Sequence, residues 1–175
     1  MKKQDTRLCL DIGCGKNKRS GFIGIDKFKA PAVDIVLDLE TEKLPFENET
    51  IDYVVADSFL EHLNSIEFVL SEAWRVMKKE AVFEVTVPYY RNSVEAQPYH
   101  RLRFGWTSFD SDKHRSLQDK NFFEIIERKL VFRGLDFFGL IPFIAEKNYC
   151  VYERWLSHFF PARQIKWLLK KEVEK

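Results

Sequence analysis

Two glycines and an aspartate near the start of the chain have the types and the spacing to bind a nucleotide. Gly13 and Gly15 follow the short apolar run 8–12, and Asp26 comes eleven residues after the second glycine. A turn of glycines has no Cβ atoms, so a ligand can lie against its backbone amides. A carboxylate at the end of the next parallel strand can accept hydrogen bonds from ribose hydroxyls at the same sheet edge. The pattern therefore predicts a site that holds an adenosine.

The spacing of these residues argues against a dinucleotide site. That site requires a third glycine, which would stand at position 18, and an acidic residue about 20 residues further on. The chain has Lys18, and its aspartate comes too early. The pattern instead resembles the first motif of the class I S-adenosylmethionine-dependent methyltransferases, apolar-Asp/Glu-x-Gly-x-Gly, which stands here as Leu10-Asp11-Ile12-Gly13-Cys14-Gly15. A mild departure is Asn17, where this family often has a third glycine.

The resemblance continues through the first half of the chain, over residues 7–88. It looks like the small methyltransferases of type 11, which have a Leu-Glu-His-Leu segment after the fourth strand. The further matching segments are Asp38-Leu39, Leu44-Pro45-Phe46, 51–55, 60–63 and 70–77. A second departure is Lys79-Glu80-Ala81, which replaces the family's Pro-Gly-Gly turn on the far side of the sheet from the site.

The resemblance implies a fold, a cofactor and a set of binding residues. The implied fold is α/β and Rossmann-like: a mostly parallel seven-stranded sheet, with the last strand antiparallel between the fifth and sixth, and helices on both faces. The implied cofactor is S-adenosylmethionine. The implied cofactor-binding residues lie at the glycine turn and at the ends of the following strands; they are Asp11, Gly13, Cys14, Gly15, Asp26, Lys27, Asp38, Leu39, Asp57, Ser58 and His62.

The hydrophobic pattern predicts the elements that must position these residues. Apolar runs bounded by turn residues predict strands at 8–12, 22–25, 34–37, 51–56, 82–87, 122–132 and 165–169. An apolar stripe from Ile66 to Met77 predicts a helix with Asn64 as its N-cap and Lys78-Lys79 at its end. The connection 13–21 is too short for more than a turn or two of helix, so we expect thin cover of the sheet there. Further helices are predicted at 106–110 and 151–160, with a loop at 134–143.

The loop 89–103 follows the fifth strand and is expected to form the wall of the acceptor site. Methyl transfer from a sulfonium is an in-line displacement, and holding the reactants in line supplies up to roughly 7–11 kcal/mol in well-oriented systems. A base adds about 10²–10⁴-fold for a hydroxyl or protonated amine. His100 and Tyr89 are the predicted catalytic residues, and Arg101 or Arg103 would pair with an anionic acceptor. The alternative is that the rings pack and the arginines pair with surface acids.

Composition and charge limit which classes of protein this chain can belong to. A length of 175 residues suits a single domain, 1–175, and a net charge of +1 favours no general attraction to nucleic acid. Val87-Pro88-Tyr89-Tyr90 is similar to the Pro-Pro-Tyr signature of base methyltransferases, but it follows the fifth strand rather than the fourth.

Three cysteines without metal spacing predict a reducing, cytoplasmic setting and no bound metal. No apolar stretch suits a signal peptide or a membrane span.

We therefore expect an enzyme that transfers a methyl group from S-adenosylmethionine to an unidentified small-molecule acceptor. The alternative is a catalytically silent protein that keeps the fold and binds the cofactor, because no residue of the sequence is a certain base. The aromatic segment 137–160 leaves two interpretations open. Its rings cover the sheet, or they cap the acceptor pocket or pair two subunits into a homodimer.

Overall fold

The structure of the chain is a computed structural model that describes residues 7–91, 97–110, 123–132 and 140–171. Seven strands form one sheet: β1 Cys9–Ile12, β2 Ile23–Asp26, β3 Ile35–Val36, β4 Ile51–Asp57, β5 Met77–Pro88, β6 Phe123–Val131 and β7 Gln164–Lys171. Their order is β3-β2-β1-β4-β5-β7-β6. The pairs among β1 to β5 are parallel, and β7 is antiparallel to both of its neighbours. The predicted sheet, with its last strand inserted antiparallel between the fifth and sixth, is confirmed.

One face of the sheet carries the hydrophobic core. The strand register aligns Leu10, Val54, Phe83 and Leu169 across four strands, and all four side chains are fully buried. The helices of the described ranges are α1 Glu67–Val76, α2 Leu140–Lys147 and α3 Tyr149–Arg154, with 3₁₀ helices at Leu60–His62 and Leu156–His158. Their contributions to the same core are Val69, Ala73 and Val76 from α1, Ile141 and Ala145 from α2, and Tyr152 from α3. The α-helices therefore pack their apolar residues against this face.

The opposite face of the sheet is polar. Because side chains alternate along a strand, Glu84 points away from the core that Phe83 enters. Its carboxylate accepts hydrogen bonds from Arg19 at 2.8 and 3.1 Å and from the Tyr53 hydroxyl at 2.6 Å, and it lies 2.8 Å from the Lys166 ammonium. The connection that carries Arg19 contains no helix, so the prediction of thin cover here is confirmed.

The clearest predicted helix, α1, begins and ends at other residues than expected. It starts at Glu67 after Ile66, which makes no side-chain capping bond. Asn64 is not the N-cap, because its side-chain oxygen, which a cap would use, accepts a hydrogen bond from Arg101. Its backbone and side-chain N–H groups donate to the Glu40 carboxylate at 2.7 and 2.9 Å. The helix ends at Val76, since Met77 is extended and starts β5. The predicted ending at Lys78-Lys79 is therefore wrong, and Lys78 pairs with Asp52 at 2.7 Å from within the strand.

The C-terminal half follows the predicted pattern only in part. The predicted strand 122–132 is confirmed as β6, but 106–110 forms turns rather than a helix, and the predicted helix 151–160 is divided into α3 and the 3₁₀ helix Leu156–His158. Of the predicted loop 134–143, the part up to 139 lies outside the described residues, and α2 already begins at Leu140. Phe143, Trp155 and Phe159 are exposed, and the pairing of two subunits stays a prediction. None of the helices in the described ranges has the length and apolar composition to span a bilayer.

Candidate active site

One edge of the sheet collects the predicted site residues. β1, β2, β4 and β5 are parallel, so the loops after them open at the same edge. The residues there form two groups. We call residues 11–38, around the glycine turn, the glycine end. We call residues 57–62, 97–100 and 163–164, around two histidines, the histidine end.

The glycine turn and Asp26 are joined by backbone hydrogen bonds. The Gly13 amide donates to the Ile25 carbonyl at 2.7 Å. The Gly15 amide donates to Asp26 Oδ2 at 2.9 Å, and the Phe28 amide donates to Asp26 Oδ1 at 2.9 Å. Each carboxylate oxygen can accept a second hydrogen bond. Asp26 is therefore held rigidly at the strand end, with acceptor capacity left for a ligand.

The two glycines differ in what surrounds them. Both have left-handed backbone, with φ of +69° at Gly13 and +55° at Gly15. A Cβ atom on Gly13 would lie 2.1 Å from the Phe59 ring, whereas a Cβ on Gly15 would meet nothing within 4 Å. Gly13 therefore makes room for Phe59, and the space on the Cβ side of Gly15 is open near the Asp26 carboxylate. This open turn next to a ribose acceptor fits an adenosyl group.

Asp11 and Arg19 hold the turn on the sheet. The buried Asp11 carboxylate accepts a hydrogen bond from the Arg19 amide at 2.7 Å, and burial raises its pKa above the ordinary value. The Arg19 side chain reaches across to Glu84 on β5. Hydrogen bonds from Arg19, Lys166 and Tyr53 lower the pKa of Glu84 to about 2, against the opposing effect of burial. Asp11 thus binds the protein's own backbone in a position where the resemblance implied a cofactor contact.

The other residues predicted at the glycine end occupy varied surroundings. Cys14 is half-buried, its thiol donates to the Ala32 carbonyl at 3.9 Å, and burial, with Asp11 and other nearby acids, raises its pKa to about 11. Lys27 is exposed, and Asp38 is half-buried just beyond β3. Leu39 is 5% exposed and packs its side chain in the core.

A cavity of about 250 Å³ lies at the histidine end. Its lining residues come from four separate parts of the chain: Ser58, Glu61, His62, Pro88, Gln97, Tyr99, His100, Arg163 and Gln164. Ser58 has left-handed backbone with φ of +54°, and its hydroxyl donates to Asp57 Oδ1 at 3.1 Å. Gln164 of β7 donates to the Ser58 hydroxyl at 3.4 Å. The predicted residues Asp57 and Ser58 therefore stand at the cavity, at the end of β4.

His62 and His100 are neighbours in this cavity, although the sequence separates them widely. Their ring centroids are 4.9 Å apart with the planes near perpendicular. Burial, with a smaller effect of His62, lowers the pKa of His100 below its ordinary value. The sequence interpretation assigned these two residues to different roles, one beside the cofactor and one catalytic, and the structure brings both to a single cavity.

Tyr89, the other predicted catalytic residue, lies in the core. It is fully buried, its hydroxyl donates to the Glu153 carboxylate of α3, and its ring packs against Tyr90 and Tyr152. Burial and Glu153 raise its pKa far above the ordinary value. His100 is the predicted catalytic residue that the structure leaves at the cavity.

The arginines are also arranged differently from the expectation. Arg101 donates to the Asn64 side chain, and Arg103 is exposed on the loop. Among the described residues, the arginine that lines the cavity is Arg163, just before β7. Sequence reasoning missed it because it lies far from loop 89–103 in the chain. It also missed Phe59, Arg19 and Glu84; an acidic residue inside the apolar run 82–87 was the available signal for Glu84.

A larger cleft, of about 660 Å³, opens elsewhere on the polar face of the sheet. Its lining includes Cys9, Tyr53, Val82, Lys78 and Lys79, and Arg19 and Phe22 of the connection after the glycine turn border it as well. The strand residues among these lie toward the starts of β1 and β4 and away from the strand ends where the glycine turn opens. We therefore place the candidate site at the smaller cavity, where the predicted residues meet.

Comparisons with known proteins agree with this geometry. Residues 10–85 match the family model described as a methyltransferase domain. Among functionally curated proteins, none matches the sequence of this chain. Among solved structures, a chain of the complex between the Haloferax volcanii Trm112 methyltransferase activator and a methyltransferase is 14% identical, with a TM-score of 0.60; the match covers 99% of this chain and 86% of that one.

Two further solved structures share the fold. An S-adenosylmethionine-dependent methyltransferase from Mesorhizobium loti is 11% identical, with a TM-score of 0.58 over 95% of this chain and 91% of that one. The [4+2]-cyclase SpnF is 18% identical, with a TM-score of 0.58 over 98% of this chain and 77% of that one. Identities this low establish the fold and nothing finer.

The domain match over residues 10–85 and the sheet order together support a class I S-adenosylmethionine-dependent methyltransferase domain. The resemblance read from the glycine motif is thereby confirmed. S-adenosylmethionine is the cofactor of this class, as the motif predicted. The acceptor is a separate question, since it depends on the histidine end.

Proposed function

We propose that this chain transfers a methyl group from S-adenosylmethionine to a small polar acceptor that binds at the histidine end. The observation that carries the proposal is the cavity of about 250 Å³ beside the end of β4, at the same sheet edge as the glycine turn. That volume is at or below the lower end of ordinary ligand pockets, so a small molecule fits better than a macromolecular segment.

The residues of the glycine end are suited to hold the cofactor. Asp26 has lone pairs left for the two ribose hydroxyls, and the open side of Gly15 leaves room for the rest of the group. When bound, S-adenosylmethionine supplies an electrophilic methyl group for in-line displacement. The protein's contribution is to hold acceptor and methyl group in line, which is worth up to roughly 7–11 kcal/mol in well-oriented systems.

The residues of the histidine end are suited to bind and deprotonate an acceptor. The imidazole of His100 lines the cavity and can accept a proton from a hydroxyl or an amine, a contribution of about 10²–10⁴-fold. Arg163 and Gln164 line the same cavity and offer hydrogen-bond donors to a polar or anionic acceptor. The three free cysteines agree with the predicted reducing, cytoplasmic compartment.

A second candidate is a protein that binds the cofactor without transferring its methyl group. The structural similarity to a [4+2]-cyclase favours retaining this second candidate, because that protein has the same fold. The burial of Tyr89 also removes one of the two predicted bases from the cavity. Formation of S-adenosylhomocysteine on incubation with a panel of small hydroxyl and amine acceptors separates the two candidates.

The cofactor site is tested by calorimetric titration of S-adenosylmethionine and S-adenosylhomocysteine. Charge-assisted hydrogen bonds contribute about 1.5–3 kcal/mol each, so we expect Asp26→Asn to weaken binding at least about tenfold. Asp52→Asn is the matched control, because Asp52 also accepts a backbone amide, from Leu8 at 2.8 Å, but at the start of β4. Equal affinities in both variants, or tight binding of NAD with no heat from either ligand, would contradict the assignment.

A further inference from the structure

Three side chains with metal-binding atoms converge in the cavity of the histidine end. Glu61 and His62 are consecutive residues of the 3₁₀ helix after β4, and His100 comes from the loop beyond β5. One ligand atom from each, a carboxylate oxygen and two imidazole nitrogens, lie within 4.8 Å of one another. Glu61 is 1% exposed, so its carboxylate is held inside the protein rather than on a solvated surface.

The backbone holds the histidine loop against the 3₁₀ helix. The amides of Arg101 and Leu102 both donate to the Glu61 carbonyl, at 2.7 and 3.1 Å. The Arg101 guanidinium donates to the Asn64 side chain just beyond the helix. These bonds flank His100 and fix the loop on the residue that supplies the carboxylate. The three ligands are thus brought together by the fold rather than by chance contact of long side chains.

The hydrogen bond of His62 sets its tautomer for metal binding. Its Nδ1 lies 3.4 Å from the Tyr99 carbonyl oxygen. A carbonyl oxygen can only accept, so Nδ1 carries the proton and Nε2 carries the lone pair. Metal-binding histidines commonly donate their second nitrogen to a backbone carbonyl in this way, which orients the ring and raises its basicity.

We propose that Glu61, His62 and His100 bind one divalent transition-metal ion, of the class of Zn²⁺ or Co²⁺. Two imidazoles and one carboxylate form a donor set that such ions favour, and three protein ligands leave a coordination position open. Donor atoms around one ion at about 2.1 Å lie roughly 3.4 Å apart, so side-chain rotations that move them by about 1 Å complete the site. This site revises the expectation of no bound metal, which considered only the cysteines.

The open position gives the metal a role toward the acceptor, and this part rests on the proposed function. An acceptor hydroxyl that binds there loses its proton more readily, because the ion stabilises the negative oxygen. Because the ion would occupy the lone pair of His100, it takes the place of that imidazole as the group that promotes deprotonation. The proton goes to water, the oxygen forms a bond to the methyl carbon, and the carbon–sulfur bond breaks with its electron pair left on sulfur. No atom is oxidised or reduced. The proposal therefore points to a hydroxyl-bearing acceptor.

The test measures metal binding by the untagged full-length chain after chelator treatment, without cofactor or acceptor. We expect calorimetry to find one Zn²⁺ per chain. Glu61→Gln, His62→Asn and His100→Asn should each weaken it at least about tenfold, as loss of a ligand removes more than the 10–100-fold seen for outer partners. His158→Asn is the control, because His158 is exposed beside Arg91 and should leave the affinity unchanged. Zn²⁺ should raise the melting temperature of the wild type and of the control.

The same samples distinguish this proposal from the proposed function. Co²⁺ spectra should show nitrogen and oxygen ligation without a thiolate charge-transfer band. The proposal is overturned if no ion binds, if all variants bind it equally, or if the spectra show cysteine ligation. If one of the three ligand variants folds poorly in the presence of chelator, the metal affinities of the other two variants decide the test. Titration with S-adenosylhomocysteine in parallel reports on the glycine end alone. The proposed metal site and the proposed cofactor site can therefore each be contradicted independently of the other.

Discussion

At the glycine end, the hydrogen bonds to the Asp11 and Asp26 carboxylates join residues that are close in the chain, and the anchor from Arg19 to Glu84, 65 positions apart, is the long-range exception. The pairs Phe28–Asp26, Arg19–Asp11 and Gly15–Asp26 are 2, 8 and 11 positions apart. At the histidine end, Tyr99–His62 and Gln164–Ser58 are 37 and 106 positions apart. A short sequence motif can specify a ligand site that lies on consecutive loops of a parallel sheet, as at the glycine end. The histidine end depends instead on how loops that are distant in the sequence pack together. The two ends should therefore respond separately to mutation.

The largest effect is expected from Glu84→Ala, which tests whether the glycine end depends on its anchor across the sheet. The change leaves Arg19 and Lys166 without their buried partner. Breaking a buried pair costs about 3–5 kcal/mol, and the partial exposure of both cations reduces our expectation to about 3 kcal/mol of unfolding free energy. Urea unfolding measures it.

A neighbouring acid supplies the control for that measurement. Glu124→Ala removes an exposed bridge to Lys170 on the same face and should cost at most about 1 kcal/mol. Equal losses of unfolding free energy in the two variants would show that the hydrogen bonds of Glu84 add nothing to the stability of the glycine end. S-adenosylhomocysteine affinity should also fall in Glu84→Ala alone, because Arg19 belongs to the cofactor loop.

A smaller effect, of about 2 kcal/mol, is expected from Gly13→Ala. The new Cβ would collide with the Phe59 ring and occupy left-handed backbone. Gly15→Ala shares the backbone strain but meets no neighbour, so about 1 kcal/mol is expected. Adding Phe59→Ala should recover part of the Gly13→Ala loss and none of the Gly15→Ala loss. Thermal unfolding of the set checks this, and no recovery at Gly13 would mean that the ring is not what that glycine accommodates.

Acid should act on the glycine end through Glu84. Its pKa in the folded chain is about 2, below the ordinary value of 4.5, so it contributes stability that is present above pH 4.5. That contribution is lost as the pH falls from about 4.5 through about 2. Glu84→Gln should therefore show a flatter decline of unfolding free energy than the wild type over this window. Parallel curves for the two proteins would rule out a lowered pKa at this residue.

The smallest effect is expected from Gln164→Ala, at the histidine end. Its hydrogen bond to Ser58 is long and partly exposed, so we expect a stability change on the order of 0.5 kcal/mol. S-adenosylhomocysteine affinity should stay within about twofold by calorimetry, because the residue does not touch the glycine end. A tenfold loss of that affinity would show that the histidine end and the glycine end are energetically coupled, which contradicts the expectation that they respond separately to mutation.

The parts of the fold that local rules govern were predictable. Apolar runs bounded by turn residues marked β1, β2, β4 and β6, and the family resemblance supplied the strand order, including β7 between β5 and β6. The absence of a helix cap at Asn64 was not predictable, because Arg101, 37 positions later, donates to the side-chain oxygen that a cap would use. The burial of Tyr89 was not predictable for a similar reason: its hydroxyl donates to Glu153 of α3 inside the core. In both cases a long-range partner outweighed a sound local preference.

By itself, the sequence determined the glycine end of this protein. Gly13, Gly15 and Asp26 can meet in few ways, because a short turn after one parallel strand must pass the end of the next. Only the tertiary structure decided the histidine end. Glu61, His62 and His100 share a cavity because two amides of the loop beyond β5 donate to the Glu61 carbonyl, a contact that no spacing in the sequence encodes.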